Sequence, residues 1–188
     1  MSVIAIIQAR VGSTRLPNKV LLDLKGKTVL ERVIERVAAS RLVDKIVVAT
    51  TVSPDDLALV KLCAENLVSV FCGSEVDVLD RYYQAAGLFG AGQIVRITAD
   101  CPLMDPAVID KVIEEHLRAK ADYTANIIKE TYPDGEDVEV FTYAVLKKAW
   151  QNARLASERE HVTPYIRKHG ELFKIVSVEQ AENQRVKR

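Results

Sequence analysis

The run Val3-Ile4-Ala5-Ile6-Ile7 is apolar at every position and rich in β-branched residues. A strand with one wet face would alternate apolar with polar, so this one belongs to a parallel sheet covered on both faces. Similar short runs recur at 45–51, 68–72 and 93–98. Between them the period changes. Val29, Leu30, Val33, Ile34 and Val37 share one helical face, with Glu31, Arg32, Glu35 and Arg36 opposite. Ser53-Pro54-Asp55-Asp56 reads as an N-cap, a first-turn proline and acids at the positive end of a helix reaching about Glu65. Asp105-Pro106 opens another in the same way. This alternation, kept up to about residue 120, predicts an α/β fold with a mostly parallel sheet flanked by helices.

After Ala121 the pattern shifts. Segments 122–127 and 138–142 read as strands around the turn Tyr132-Pro133-Asp134-Gly135. Ser157-Glu158-Arg159-Glu160 fits a capping box with Ser157 as N-cap and Glu160 at N3. A last strand is expected over 173–178, before a polar tail.

Composition removes several function classes. Lys and Arg number 26 and Asp and Glu 26, so zero formal net charge gives no global field for polyanions, and nucleic acid is not the expected partner. Cys63, Cys72 and Cys101 show no CxxC spacing and read as reduced thiols, which points to the cytoplasm. The early apolar run is too short for a signal sequence, and no stretch is long enough to span a membrane. A chain of 188 residues with 48% hydrophobic content supports a single domain with its own core.

The loop after the first strand, Gln8-Ala9-Arg10-Val11-Gly12-Ser13-Thr14-Arg15-Leu16-Pro17-Asn18-Lys19, carries three cations, and no acid appears before Asp23. Ligands of open α/β sheets bind outside the carboxyl ends of strands, so cations there mark an anion site. Gly12 and Ser13 permit close backbone approach, letting N–H groups join Arg10, Arg15 and Lys19 around phosphate oxygens. A solvated basic loop is the plainer alternative.

In Arg96-Ile97-Thr98-Ala99-Asp100-Cys101-Pro102 a strand runs into an acid and then a proline. Facing the cationic loop, Asp100 is placed to hold Mg²⁺, which takes one or two carboxylates plus phosphate oxygens; as a turn residue it would satisfy local backbone donors instead. The stretch Asp134-Gly135-Glu136-Asp137-Val138-Glu139 reads first as a solvated turn, and otherwise as a second metal ligand or a sugar-hydroxyl contact. His161 reads as facing solvent or a subunit partner. The glycines at 87, 90 and 92 precede a strand, so they form a helix end and not a dinucleotide fingerprint. No GxxxxGK[ST], HExxH or GxSxG occurs.

Together these pieces resemble the sugar-nucleotide cytidylyltransferases, the enzymes that make CMP-activated Kdo and neuraminate, and more nearly the SpsF-like spore-coat polysaccharide branch. The segment from Ile6 to Val37, IIQARVGSTRLPNKVLLDLKGKTVLERVIERV, carries the resemblance. It continues in VFCGSEVDVLDRYYQAA, RITADCPLMDP, YPDGEDVEVF and SEREHVTPYI, across almost the whole chain. The resemblance implies a Rossmann-like nucleotidyltransferase (nucleotide-diphospho-sugar transferase) fold. It places Ala9, Arg10, Gly12, Ser13, Arg15 and Lys19 around the triphosphate, Ser74 and Asp77 beside the base, and Mg²⁺ on Asp100. It further implies a second metal-binding aspartate in a segment that would follow Arg188, and a dimerisation excursion over about 128–170 that includes Phe141, Tyr143, Trp150 and Tyr165.

The activity so implied is Mg²⁺-dependent transfer of a cytidylyl group from CTP to a sugar, of the 2-keto acid type, for surface polysaccharide. Arg10, Arg15, Lys19 and Asp100 form the catalytic set, and the assembly is a homodimer. The rivals are a nucleotidyltransferase using UTP, GTP or ATP, and a nucleotide-binding or assembly protein without turnover.

Overall fold

The computed structural model describes residues 2–12 and 16–185. Seven strands form one sheet: β1 (Val3–Gln8), β2 (Lys45–Thr51), β3 (Ser69–Gly73), β4 (Gln93–Thr98), β5 (Tyr123–Ala125), β6 (Glu139–Thr142) and β7 (Ile175–Ser177). Their spatial order is β3-β2-β1-β4-β6-β5-β7. The first four are parallel, β6 runs antiparallel to β4 and β5, and β7 is parallel to β5. The sheet is the mostly parallel one expected, with its antiparallel element confined to the later segments.

Helices α1 (Val29–Ala38), α2 (Leu57–Glu65), α3 (Val78–Leu88), α4 (Pro106–Ala119), α5 (Tyr143–Asn152), α6 (Ala156–His161) and α7 (Pro164–Lys168) complete the frame. Alternation along β1 divides the core. Val3, Ala5 and Ile7 pack with Val33, Val37, Leu59, Ile109 and Ile113, from α1, α2 and α4. Ile4 and Ile6 pack with Leu79, Tyr82, Leu146, Ala149 and Ile166, from α3, α5 and α7. Burying each such side chain stabilises by about 1.5–3 kcal/mol, so both layers are needed.

Local signals set most boundaries. Thr28 accepts from the Glu31 N–H at 3.2 Å while the Glu31 carboxylate takes the Thr28 N–H at 2.6 Å, closing a capping box at α1. Asp105 caps α4 through the Ala107 N–H at 2.9 Å. Two expectations need correction. Helix α6 starts at Ala156, not after Ser157, and it is Glu158 that reaches back to the Leu155 N–H at 3.2 Å and the Arg154 N–H at 3.1 Å. Ser53 makes no side-chain cap; the first turn, Pro54–Asp56, is a 3₁₀ turn whose Asp56 is 2% exposed.

Aromatics expected at a dimer interface pack within the chain. Phe141 is fully buried, and Tyr83 stacks on Trp150 at 4.3 Å and on Tyr143 at 5.6 Å between ring centres. Tyr165 meets Phe173 edge-on at 6.3 Å. His116 bridges Gln93 at 2.9 Å and Thr124 at 3.0 Å, and burial pushes its imidazole down to about 4. It is a neutral core histidine. No helix among the described residues is long and apolar enough to cross a membrane.

Candidate active site

Above the carboxyl ends of the parallel strands the site is built as two walls. The first is built on the loop after β1. Its backbone is tied down at Val11, whose N–H donates to Asp56 Oδ1 at 2.7 Å. Asp56 Oδ2 accepts from the Thr50 hydroxyl at 2.9 Å, the Thr51 hydroxyl at 2.5 Å and the Thr51 N–H at 3.1 Å. Burial pushes the Asp56 carboxyl up, but these donors outweigh it and hold it below the usual carboxylate range. The acid that the sequence places at a helix start is therefore the anchor of the opening loop. No local signal distinguishes it from Asp55, because its partners come from β2 and from a residue 45 positions earlier.

Beyond Asn18, whose φ of 57° turns the chain back, Lys19 enters a short 3₁₀ turn, Lys19–Leu21. Its Nζ lies 2.5 Å from Oδ2 of Asp100, which follows β4, with both side chains partly exposed. The cationic loop and the strand-end acid thus meet as expected. Lys19 is, however, ion-paired and not a free cation; its partner stands 81 residues away. Burial pushes the Asp100 carboxyl up, but hydrogen bonds from Lys19 and Thr98 bring it below the ordinary range. Arg10 is exposed and makes no ion pair among the described residues. A Cβ at Gly12 would meet nothing within 4 Å, so the room that glycine leaves opens outward. Ser13 and Arg15 lie outside the described residues.

The acidic turn reaches the same place. A Cβ on Gly135, at φ 96°, would stand 4.0 Å from Cys101 Sγ. Burial, then Glu139 and Asp134, and more weakly Asp100, push the Asp137 carboxyl up. Burial with the neighbouring Asp100, Asp137 and Asp134 raises the Cys101 thiol to about 11, which leaves it protonated and inert. Glu139 is no solvated turn residue: it is 1% exposed on β6, ion-paired with Arg96, and accepts from the Tyr123 hydroxyl at 2.5 Å. No cluster of three candidate ligands is assembled among the described residues. What the site offers a divalent ion is the Asp100 carboxylate, with Asp137 near enough to feel its charge, of the hard-oxygen type that Mg²⁺ takes when phosphate and water supply the rest.

The second wall joins the loop after β3 to α6. Asp77 caps α3 through the Asp80 N–H at 2.9 Å, and its Oδ2 receives Arg159 Nε at 2.9 Å and Nη2 at 2.5 Å. Arg159 also donates to the Trp150 carbonyl at 2.8 Å. Ser74 is spent locally, its hydroxyl accepting from the Asp77 N–H at 3.0 Å. Of the two base-side residues the family pattern indicates, Asp77 lines the cleft and is already engaged by Arg159.

Along the second wall, and reaching Arg10 of the first, lies a cleft of about 770 Å³ whose lining includes Ala9, Arg10, Asp77, Arg159 and His161; Lys19 and Asp100 are not part of that lining. That volume suits a nucleotide-sized ligand. His161 projects from the end of α6 where Val162 adopts φ 71°, a conformation that costs a β-branched residue on the order of 1–3 kcal/mol. The Thr163 N–H to His161 carbonyl bond at 2.8 Å closes that tight turn. His161 therefore belongs to the cleft, a placement its sequence neighbourhood does not reveal.

Residues 4–187 match the family model described as Cytidylyltransferase. The spore coat polysaccharide biosynthesis protein SpsF of Bacillus subtilis (strain 168) is 35% identical over 96% of this chain and 76% of its own length. The 3-deoxy-manno-octulosonate cytidylyltransferase of Geobacter sulfurreducens is 39% identical over 60% of this chain and 44% of its own. Among solved structures, a cytidylyltransferase from Leptospira borgpetersenii superposes with a TM-score of 0.94 at 36% identity, covering 98% of this chain and 79% of that one.

Proposed function

The chain belongs to the cytidylyltransferase family, and from that premise we propose that it transfers a cytidylyl group from CTP to a sugar of the 2-keto acid class, for surface polysaccharide synthesis. The observation that carries the reading is the meeting of Lys19 and Asp100 at 2.5 Å beside the loop of Arg10, at the carboxyl ends of β1 and β4. The names of the two relatives support the sugar class.

In this reaction a sugar hydroxyl oxygen bonds to the α-phosphorus of CTP, the bond from that phosphorus to the β-phosphate oxygen breaks, and pyrophosphate leaves while the hydroxyl proton passes to water. Transfers at phosphorus depend mostly on positioning and charge neutralisation. Arg10 and Lys19, with Arg15, take the charge that builds on the pyrophosphate. Asp56 keeps the loop in the shape that presents these groups. Asp100 would hold Mg²⁺ through its carboxylate, exchanging Lys19 for the ion as Lys19 turns to phosphate. When bound, Mg²⁺ supplies charge neutralisation across the phosphates and lowers the pKa of the attacking hydroxyl.

The same reading makes residues 1–188 one domain, acting as a cytoplasmic homodimer through about 128–170, where Ile128 and Leu155 are exposed. Its free thiols suit a reducing compartment. Light scattering tests the dimer. The activity is tested by pyrophosphate release from CTP and Mg²⁺ with Kdo, neuraminate and other nonulosonic acids. Release with at least one of them, absent without sugar, is the expected result; none with any acceptor overturns the reading.

A further inference from the structure

Two buried polar atoms on the cleft have no partner among the described residues: Oε1 of Gln8 and Nε of Arg81. Alternation along β1 puts Gln8 on the face that Ile4 and Ile6 share with α3, the helix that carries Arg81. Arg81 is only 2% exposed. Its described hydrogen bond runs from Nη1 to the Ser74 carbonyl at 2.9 Å. Its stem passes so near Gly73 that a Cβ there would lie 3.1 Å from Cγ. A dehydrated guanidinium with an unspent donor and no carboxylate bonded to it is costly unless a ligand completes it.

We propose that Arg81 and Gln8 read the Watson–Crick edge of the nucleotide base and select cytosine, an inference that rests on the cytidylyl reading above. Nη1 is taken by Ser74, so the edge without a described partner is the buried one bearing Nε and Nη2, which offers two parallel donors to a base that settles against it. Cytosine meets such an edge with two adjacent acceptors, O2 and N3, and next to them its N4 amine is a donor for Gln8 Oε1. Uracil has a proton on N3, which would confront the guanidinium donor to donor. Adenine sets an amine beside its ring acceptor on either edge. Guanine offers N7 and O6 to an arginine with its N1–H next in line for Gln8, so GTP is turned away by the size of its second ring and not by this donor pattern. The Gln8 amide can turn its NH₂ outward, so Arg81 carries the discrimination and Gln8 refines it.

Calorimetric titration with CTP, UTP and GTP tests this in the unaltered chain and in Arg81→Met and Gln8→Glu. The unaltered chain should prefer CTP to UTP by on the order of ten- to a hundredfold, the range of one good bidentate base contact. Arg81→Met should bring that ratio close to one. Replacing a buried unpaired charge by an apolar chain of similar length is tolerated, so a folded variant is expected. Gln8→Glu retains the acceptor but has no NH₂ to offer uracil, so its CTP to UTP ratio should rise even as added charge weakens both. Strong CTP preference that neither variant changes overturns this inference and leaves the cytidylyl reading standing. Failure of the unaltered chain to bind CTP at all overturns both.

Discussion

The two walls at the strand ends are built on different physical principles. On the wall carrying Lys19 and Asp100 the charged groups are partly exposed and pair with each other, while a buried carboxylate behind them, Asp56, holds the loop by backbone and hydroxyl bonds. On the wall carrying Asp77 and Arg159 the charges brace the scaffold: Arg159 ties α6 to the cap of α3, and Arg81 lies buried with a donor unspent. The first arrangement suits a group whose charge changes during reaction, because solvent-facing ions can exchange partners cheaply. The second suits a group that must be recognised in one orientation, because buried donors tolerate only a matching partner.

If that division holds, substitutions on the two walls should separate turnover from binding. The largest effect is expected from Lys19→Ala, which removes a donor to the developing pyrophosphate charge and should lower kcat by roughly 10²–10³. Near-normal turnover in a steady-state pyrophosphate assay would remove Lys19 from the reacting wall.

Asp56→Ala should cost about 3 kcal/mol of stability in urea unfolding, since it strands the Val11 and Thr51 N–H groups and two hydroxyls. The Asp56 carboxyl is depressed in the folded state, so its contribution is present above the unfolded value of roughly 3.9 and is lost as pH falls through the folded one. An unchanged acid limb in Asp56→Asn would contradict the anchor.

His116, outside both walls, sharpens the comparison by loosening the scaffold alone. Unfolded it titrates near ~6.5; folded, at about 4. Between those values the unfolded chain binds the proton and the folded chain does not. Stability is therefore full above ~6.5 and falls as pH drops toward the folded value, by on the order of 3 kcal/mol. An imidazole resonance titrating near 6.5 in the folded protein would refute this. The smallest effect is expected from Arg159→Ala, about 1 kcal/mol in stability for a partly exposed pair. It should raise KM for CTP while largely sparing kcat, and a kcat loss rivalling that of Lys19→Ala would erase the distinction between the walls.

The first wall was largely legible in the sequence and the second was not. Arg10 and Lys19 stand within one loop directly after an apolar run, so charge clustering and strand context both expose it. Asp100 likewise follows a strand. In contrast, Asp77 is marked only by the family resemblance, and its partner Arg159, 82 residues away, looks in the chain like an ordinary surface charge. Glu139 sits in an acidic run that reads as a solvated turn, and only its pairing with Arg96 across β4 and β6 shows it to be buried. Asp56 read as a helix-start acid because its local sequence fits one.

What the sequence by itself determined is whatever depends on neighbours a few positions away: the apolar runs, the helical faces, the caps at Thr28 and Asp105, and the cluster of cations after β1. What only the tertiary structure decided is which charges are dehydrated and by whom they are met, because burial and pairing across 45 to 82 residues depend on how the sheet brings loop ends together. Gln8 and Arg81 are the sharpest case. Each is an ordinary polar residue in the chain, and only the packing of α3 on β1 leaves one atom of each dry, unpaired and beside the same cleft.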